Sequence, residues 1–416
     1  MEGRIMKKLL ILSSYYTEVE VVKKAKSLGY YTIVTDNHTD LVQTPAKFIA
    51  DEAWDISWTD YDALERKCRE EGVNGVLAGF SEFRVEAMIH LCERLGLPCS
   101  LTLEQLEITR DKEKFKRTCE KYGIPCVPEH KYGEVFEFPV IVKPVDRAGS
   151  AGITVAYSKE EFERSYEYAL SMSPSKTVII EDFIQDGVKV DVYYYVKNHQ
   201  VTLLGTSDTI MCKGSEGAEI LQKGWPFPSL HEQQYIDEVD GAVRDMIVGL
   251  GIDNCYLTMS AFYTKGHIYF FEAGFRLSGE MSFNYYKTYS GVDYLEEMIK
   301  FSLGDSDDAS LPQMDYSGKY SMILNFFAKD GTVADIAGVD AVNEIHEVVD
   351  FLIYGQEGQT IVNDTKVLKK FAMCTICATD KNRLAEVVDK VNALFSVKDA
   401  EGREMIYERV SREECF

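Results

Sequence analysis

Along the first hundred residues the apolar positions change period in a regular order. KKLLIL is a short apolar run. EVEVVKKAKSLG places apolar residues at helical spacing and stops at Gly29, and YYTIVTD is a second run rich in β-type residues. YDALERKCREEG predicts a helix and VNGVLAG a third strand. SEFRVEAMIHLCERLGLP predicts a helix opened by Ser81 and closed by Gly96 and Pro98. Strands that alternate with helices predict a doubly wound parallel α/β sheet. Such sheets bind ligands at the carboxyl ends of their strands, here SSYYTE, TDNHTD and AGFSEF. No GxGxxG is present, so a dinucleotide site is not supported.

The pattern changes near residue 106. TRDKEKFKRTCEKYGIP predicts a helix with Thr109 as cap and Gly123 as stop. FPVIVKPVDRAGSAGITVAYS predicts strand, glycine-rich loop and strand. SKEEFERSYEYAL opens as a capping box on Ser158 and Glu161. A long β-type run follows from Thr177, with turns at QDG and KNH. HEQQYIDEVDGAVRDMIVGLG predicts one helix, and CYLTMSAFYTKGHIYFFEAGFR predicts two antiparallel strands joined at Lys265 and Gly266. DSDDASLPQMDYSG is an acidic, turn-rich linker, after which short strands and the helix DKNRLAEVVDKVNALF predict a small α+β unit. The expected domains are 1–105, 106–305 (with a mobile lobe at about 127–188) and 306–416.

Composition narrows the partners. The chain has 416 residues, 45% hydrophobic and 27% charged, with a formal net charge of −23. Such an acidic surface repels nucleic acid and anionic lipid, so neither is expected as a partner. No run approaches the roughly eighteen apolar residues of a membrane helix. MEGRIMKKLLILSS turns polar too soon for a signal peptide, and Met6 is a second candidate start. Ten cysteines without a disulfide rhythm then suggest a reducing cytoplasm. Cys374 and Cys377 form a CxxC inside a strand, where they face opposite sides, so a structural role is expected for both.

The chemistry-bearing pieces are few. Lys143 ends the strand VIVKP, directly before the loop DRAGSAG, whose glycines let backbone N–H groups close around phosphate oxygens. No GK[ST] follows, so this is not a Walker loop. Far downstream, FFEAGFRLSGE sets Glu272, Gly274 and Arg276 at alternate strand positions, facing one side. Taken singly, Lys143 reads as a solvated strand end and Glu272 with Arg276 as a surface ion pair worth little.

Their order is more specific. A helix carrying Asp111 and Lys112, the strand with Lys143, the glycine loop, the strand VIIEDFI and a last strand with Glu272 and Arg276 resemble the ATP-grasp superfamily. The likeness is to carboxylate–amine ligases and the carbamoyl-phosphate synthetase large chain, and it covers essentially the whole chain. RDKEKFKRTCEKYGIPCVP, FPVIVKPVDRAGSAGI and IEDFIQDG carry it. The resemblance implies an α/β N-terminal domain, a two-lobed grasp domain and a small C-terminal α+β domain. It implies an ADP-forming ligase that uses ATP and magnesium, or manganese in its place, on small-molecule carboxylate and amine substrates; a homodimer is compatible with it.

Residue by residue, the resemblance places Lys112 and Lys143 on the ATP phosphates and Ser150, Ala151 and Gly152 in the closing loop. It places Glu181, Asp182, Phe183 and Ile184 at the adenine. Lys189 stands where the family has a ribose-binding glutamate; it either faces the ribose differently or is a solvated lysine. Arg276 and Lys143 take the catalytic positions. Glu272 matches a metal-binding acid, but Gly274 replaces an asparagine, and the other acid, due near Thr258, Met259 or Ser260, is missing. Three readings stay open: magnesium held by Glu272, phosphates and water; Asn284, Glu280 or Ser260 filling in; or a nucleotide-binding regulator without turnover. A carboxylase-like or carbamoyl-phosphate-forming enzyme is a weaker rival. Glu82 is expected to favour the dipole of its helix rather than a substrate. The segment 208–229 is expected to line the cleft, with Lys213 or Lys223 either meeting a substrate carboxylate or solvating the loop.

Overall fold

The computed structural model describes residues 6–40, 44–134, 136–147, 152–213, 221–312, 318–363 and 368–416. The first sheet has strands β1 (Lys8–Leu12), β2 (Tyr31–Thr35), β3 (Glu52–Trp54) and β4 (Gly75–Leu77), all parallel, in the order β3-β2-β1-β4. Leu9 to Leu12 are buried, as a strand covered on both faces requires. Helices α1 (Tyr16–Ser27), α2 (Pro45–Ile49) and α3 (Tyr61–Glu71) supply the crossovers, and α4 (Glu82–Leu95) follows β4 and packs on the sheet. β3 has only three residues and was too short for its periodicity to register in the sequence. At Gly75 an added Cβ would stand 2.3 Å from the Ser302 carbonyl oxygen, so a bare backbone lets β4 meet the helix that ends at Ser302.

The helix predicted from Thr109 onward is preceded by another that the sequence reading did not mark. α5 (Leu103–Arg110) opens with a capping box between Thr102 and Gln105, and α6 (Lys112–Lys121) is capped by Asp111, which accepts from the N–H groups of Glu113 and Lys114. Thr109 is therefore not the cap; its hydroxyl donates to the Leu106 carbonyl inside α5. A carboxylate at Asp111 satisfies two orphan N–H groups and the helix dipole together, which no threonine two residues earlier could do.

A small antiparallel sheet follows, of β5 (Glu129–His130), β6 (Val140–Pro144), β7 (Thr154–Ala156) and β8 (Val178–Asp182), in the order β5-β8-β6-β7 and covered by α7 (Lys159–Met172). Ser158 caps α7 by accepting from the Glu161 N–H, while the Glu161 carboxylate reaches the N–H of Tyr157, one residue short of a complete box. The chain then enters β9 (Val188–Lys197) and β10 (Gln200–Asp208), the short strands β11 (Ile210–Met211) and β12 (Gln222–Phe227), and helices α8 (Glu232–Glu238) and α9 (Asp240–Gly249), which the sequence had predicted as one. β13 (Cys255–Thr264) and β14 (His267–Gly274) form the expected hairpin and complete a sheet ordered β10-β9-β13-β14. Helices α10 (Phe283–Ser290) and α11 (Tyr294–Ser302) follow.

β11 and β12 do not join that sheet. They pair onward to β15 (Tyr320–Ala328) and, beyond it, to strands Lys369–Ala378 and Val348–Ile353. One hydrophobic core runs from Leu10 and Ile33 of the first sheet through Val85 and Leu106 to Val192, Leu257 and Phe270. Among the described residues no helix is long and apolar enough to cross a membrane, and all ten cysteines are free.

Candidate functional site

Between the first sheet, the small sheet and the β9–β13–β14 sheet lies a cavity of about 380 Å³. The start of α4 brings Glu82 and Phe83, and the α5–α6 corner brings Arg110 and Lys112. From the large sheet come Lys189 and Asp191 on β9, Ser260 on β13 and Glu272 on β14, with Arg276 and Glu280 just beyond.

Strand register explains how Lys143 meets Glu181. Lys143 pairs with Ile179 and Ile141 with Glu181, so Lys143 and Glu181 share a face diagonally across β6 and β8. Lys143 Nζ lies 2.5 Å from Glu181 Oε2. The other oxygen of Glu181 is held by Lys116, one turn along α6 from Lys112. Burial alone would push the Glu181 carboxyl up; Lys143 and Lys116 outweigh it and hold it below the usual range. Lys116 escaped the sequence reading, although its spacing from Lys112 puts both on one helix face. Lys112 Nζ donates to the Arg147 carbonyl at 2.9 Å, tying α6 to the start of the glycine loop. Burial, reinforced by Lys143 and opposed by Glu272 and Glu181, lowers its pKa.

Gly152 has φ +81°, and a Cβ there would stand 2.7 Å from Pro144 Cγ and 2.9 Å from Met172 Cβ, so this turn needs glycine. Ser150 and Ala151 lie outside the described residues. Asp182 faces away from Glu181 by strand alternation and bonds His130 Nε2 at 2.6 Å. Phe183 and Ile184 form the link between the sheets, where the Phe183 N–H donates to the Pro139 carbonyl at 3.2 Å.

The large sheet carries a row of polar groups. Ser260 pairs with Asp191 on one side and with Glu272 on the other, so the three stand side by side across β9, β13 and β14. Asp191 accepts the Ser260 hydroxyl on one oxygen and the Thr209 hydroxyl, at 3.0 Å, on the other. Lys189 lies two residues before Asp191 on the same face and approaches it at 3.4 Å. It is not a solvated lysine: its side chain is 14% exposed. Burial works against its charge, but Asp191, Glu272 and Glu280 more than compensate and raise its pKa.

Glu272 is exposed toward the cleft and forms no side-chain hydrogen bond or ion pair among the described residues. Of the groups considered as substitutes for the missing acid, Ser260 is spent on Asp191, and Asn284 is turned away to donate to Asp350 at 2.8 Å. Glu280 lines the cleft and accepts from Ser282 at 3.1 Å. No group of three or more His, Cys, Asp or Glu side chains suited to a metal ion occurs among the described residues. The donor set fits a magnesium ion that keeps waters and leans on phosphates, with Glu272 as its open protein carboxylate.

Arg276 directs Nη2 toward Glu82 at 3.8 Å and Nη1 to the Leu277 carbonyl, while its buried Nε has no partner among the described residues. Glu82 therefore does more than favour a helix dipole: it faces the cleft. Burial raises its pKa, with Arg276 opposing and Glu272 adding to the rise. Lys213 and Lys223 do not reach the cleft. Lys223 is buried between Glu408 and Glu414, and Lys213 pairs with Glu414. From the same segment Gln222 and Trp225 line the cavity instead, because β12 runs along its edge.

Residues 91–212 match the family described as D-ala D-ala ligase C-terminus. The carbamoyl phosphate synthase large chain of Thermotoga neapolitana is 26% identical over 285 residues, which cover 64% of this chain and 25% of that protein. This chain thus spans about a quarter of the length of that relative. The biotin carboxylase domain of the Hydrogenobacter thermophilus 2-oxoglutarate carboxylase superposes with a TM-score of 0.80 at 18% identity, covering 95% of this chain and 91% of that one. The L-amino acid ligase of Bacillus licheniformis gives 0.76 at 16% identity, covering 95% and 100%. The matched family segment runs across α5, α6 and the small sheet, and the superposition over nearly the whole length shows that the chain has the ATP-grasp fold of these proteins.

Proposed function

We propose that this protein is an ADP-forming ligase that activates a carboxylate as an acylphosphate and joins it to an amine or similar nucleophile. The observation that carries this reading is the convergence of Lys112, Glu272 and Arg276 on one cavity, with the Lys143 ammonium close by, 5.9 Å from the ring of Phe271 that lines it. The named relatives and neighbours include ligases and carboxylases that act on small molecules.

In this reading Lys112 and Lys143 hold the ATP phosphates, and the loop through Gly152 closes over them. Phe183 and Ile184 border the adenine. A magnesium ion held by Glu272 and the phosphates would offset phosphate charge. The substrate carboxylate attacks the γ-phosphorus, the bond to the β-phosphate oxygen breaks, and ADP leaves. Arg276 holds the transferring phosphoryl group and then the oxyanion formed when the amine attacks the acyl carbon. Glu82, which faces the cleft, takes the proton that the amine nitrogen loses as the C–N bond forms. Phosphate departs as the amide forms. Positioning and charge neutralisation do most of the work in such transfers, and loop closure keeps water from the acylphosphate.

The test is ADP release across pooled carboxylic and amino acids, with mass detection of products. Equal amounts of ADP and amide are expected, and Arg276→Ala is expected to lower turnover by about 10²–10³. Tight ATP binding with no turnover across the pools would replace the ligase with a nucleotide-binding regulator.

A further inference from the structure

Lys189 is held as few surface lysines are. Its ammonium approaches Asp191, and Asp191 is itself fixed by hydroxyls on two other segments, Ser260 of β13 and Thr209 after β10. The Asp191 carboxylate is buried, and both its oxygens are engaged. Across the sheet from it, beyond Ser260, stands the open carboxylate of Glu272, and both line the cavity with Lys189. A cation set between Asp191 and Glu272 would meet an ammonium that already serves Asp191. Like charges at such range repel, and more strongly beside groups as buried as Lys189 and Asp191.

We propose that Lys189 is a fixed cation of the phosphate subsite, and that the nucleotide complex therefore takes one divalent ion, on Glu272, and not two. The inference rests on the nucleotide reading above and deepens it. Asp191 is then a positioning residue: it aims the ammonium and does not ligate the metal. A lysine suits this task because it is a compact point charge with no fixed bond directions.

The experiment counts Mn²⁺ bound to the protein saturated with a non-hydrolysable ATP analogue, by electron paramagnetic resonance of free Mn²⁺, and measures analogue affinity by calorimetry. One Mn²⁺ per chain is expected. Lys189→Met is expected to weaken the analogue about tenfold or more and to admit a second Mn²⁺ at high concentration. Lys189→Arg, which keeps the charge, is expected to restore a count of one. Asp191→Asn keeps the hydrogen-bonding shape and is expected to leave Mn²⁺ affinity within about threefold. A merely structural lysine would shift the melting temperature and leave the count alone. Two Mn²⁺ in the unmodified protein, or a tenfold loss of Mn²⁺ affinity in Asp191→Asn, would overturn the inference while leaving the ligase reading standing. If Lys189→Met does not fold, the count in the unmodified protein and the Mn²⁺ affinity of Asp191→Asn decide. Failure of the unmodified protein to bind the analogue would overturn both.

Discussion

Lys143 and Lys116 grip opposite oxygens of one buried carboxylate, Glu181, joining the small sheet to α6. The three side chains are 3–11% exposed, so removing the shared anion would leave two ammonium groups facing each other in a poorly solvated place. Breaking a buried ion pair from one side costs about 3 kcal/mol or more. Glu181→Gln is therefore expected to lower stability by about that amount at neutral pH, measured by denaturant unfolding. The folded pKa of Glu181 is depressed, so its contribution is full above the ordinary glutamate value of 4.5 and is lost as pH falls through the lower folded value. The curves of the variant and the unmodified protein should converge in acid. A constant gap down to strongly acid pH would mean that Glu181 acts by shape and not by charge.

Lys112 tests the other contact between α6 and the small sheet. Its bond to the Arg147 carbonyl is one partly exposed interaction, so Lys112→Ala should change stability by only about 0.5 kcal/mol. Loss of a charge-assisted bond to phosphate is worth about 1.5–3 kcal/mol, or roughly 10–100-fold in ATP affinity. Calorimetric titration with ATP checks this. Unchanged affinity would remove Lys112 from the phosphate site.

Much of this arrangement was legible in the sequence because it depends on local order. Alternating strands and helices gave the first parallel sheet, and the turn at Lys265 and Gly266 fixed the register that carries Glu272. The misreadings arose where distant segments decide. Lys213 and Lys223 resemble cleft lysines by composition, yet their partners Glu408 and Glu414 arrive from the far end of the chain. Asp191 and Ser260 meet only because β9 and β13, distant in sequence, are neighbours in the sheet. Lys116 could have been found, since it lies four residues from Lys112 on one helix. Its carboxylate partner across the sheet could not.

Asp350 offers a pH-dependent test away from the cleft. Burial first, then Glu20, raises its pKa to about 6, against the bond from Asn284. Below the unfolded value of 3.8 both states are protonated and the group has no effect. As pH rises toward 6 the unfolded carboxyl ionises while the folded one resists, so stability falls and then levels off. A shift of about two pKa units corresponds to roughly 3 kcal/mol at most. Asp350→Asn should thus be more stable than the unmodified protein at pH 7–8 and equal to it near pH 3.5, as read from urea midpoints. A variant that is less stable at pH 8 would show that the charged form has a partner that outweighs its burial.

Gly274 is the position where the metal end can be rebuilt. It shares a strand face with Glu272, and an added Cβ would lie 3.6 Å from Arg276 Cζ, an ordinary contact. Nothing in the backbone there demands glycine, so Gly274→Ala should fold normally and gain about 0.4–1 kcal/mol by restricting the unfolded chain. Gly274→Asp would add a second carboxylate beside Glu272. Divalent ions respond to ligand charge, so Mn²⁺ affinity in the presence of an ATP analogue should rise about tenfold, worth ~1.4 kcal/mol. The new carboxylate would also stand against the Arg276 guanidinium, which is placed for the transferring phosphoryl group. Turnover should therefore fall even as the metal binds more tightly. Tighter Mn²⁺ with slower ADP release would place the ion on Glu272 and the phosphoryl group on Arg276. Unchanged Mn²⁺ affinity in a folded Gly274→Asp protein would mean that the ion does not sit at Glu272.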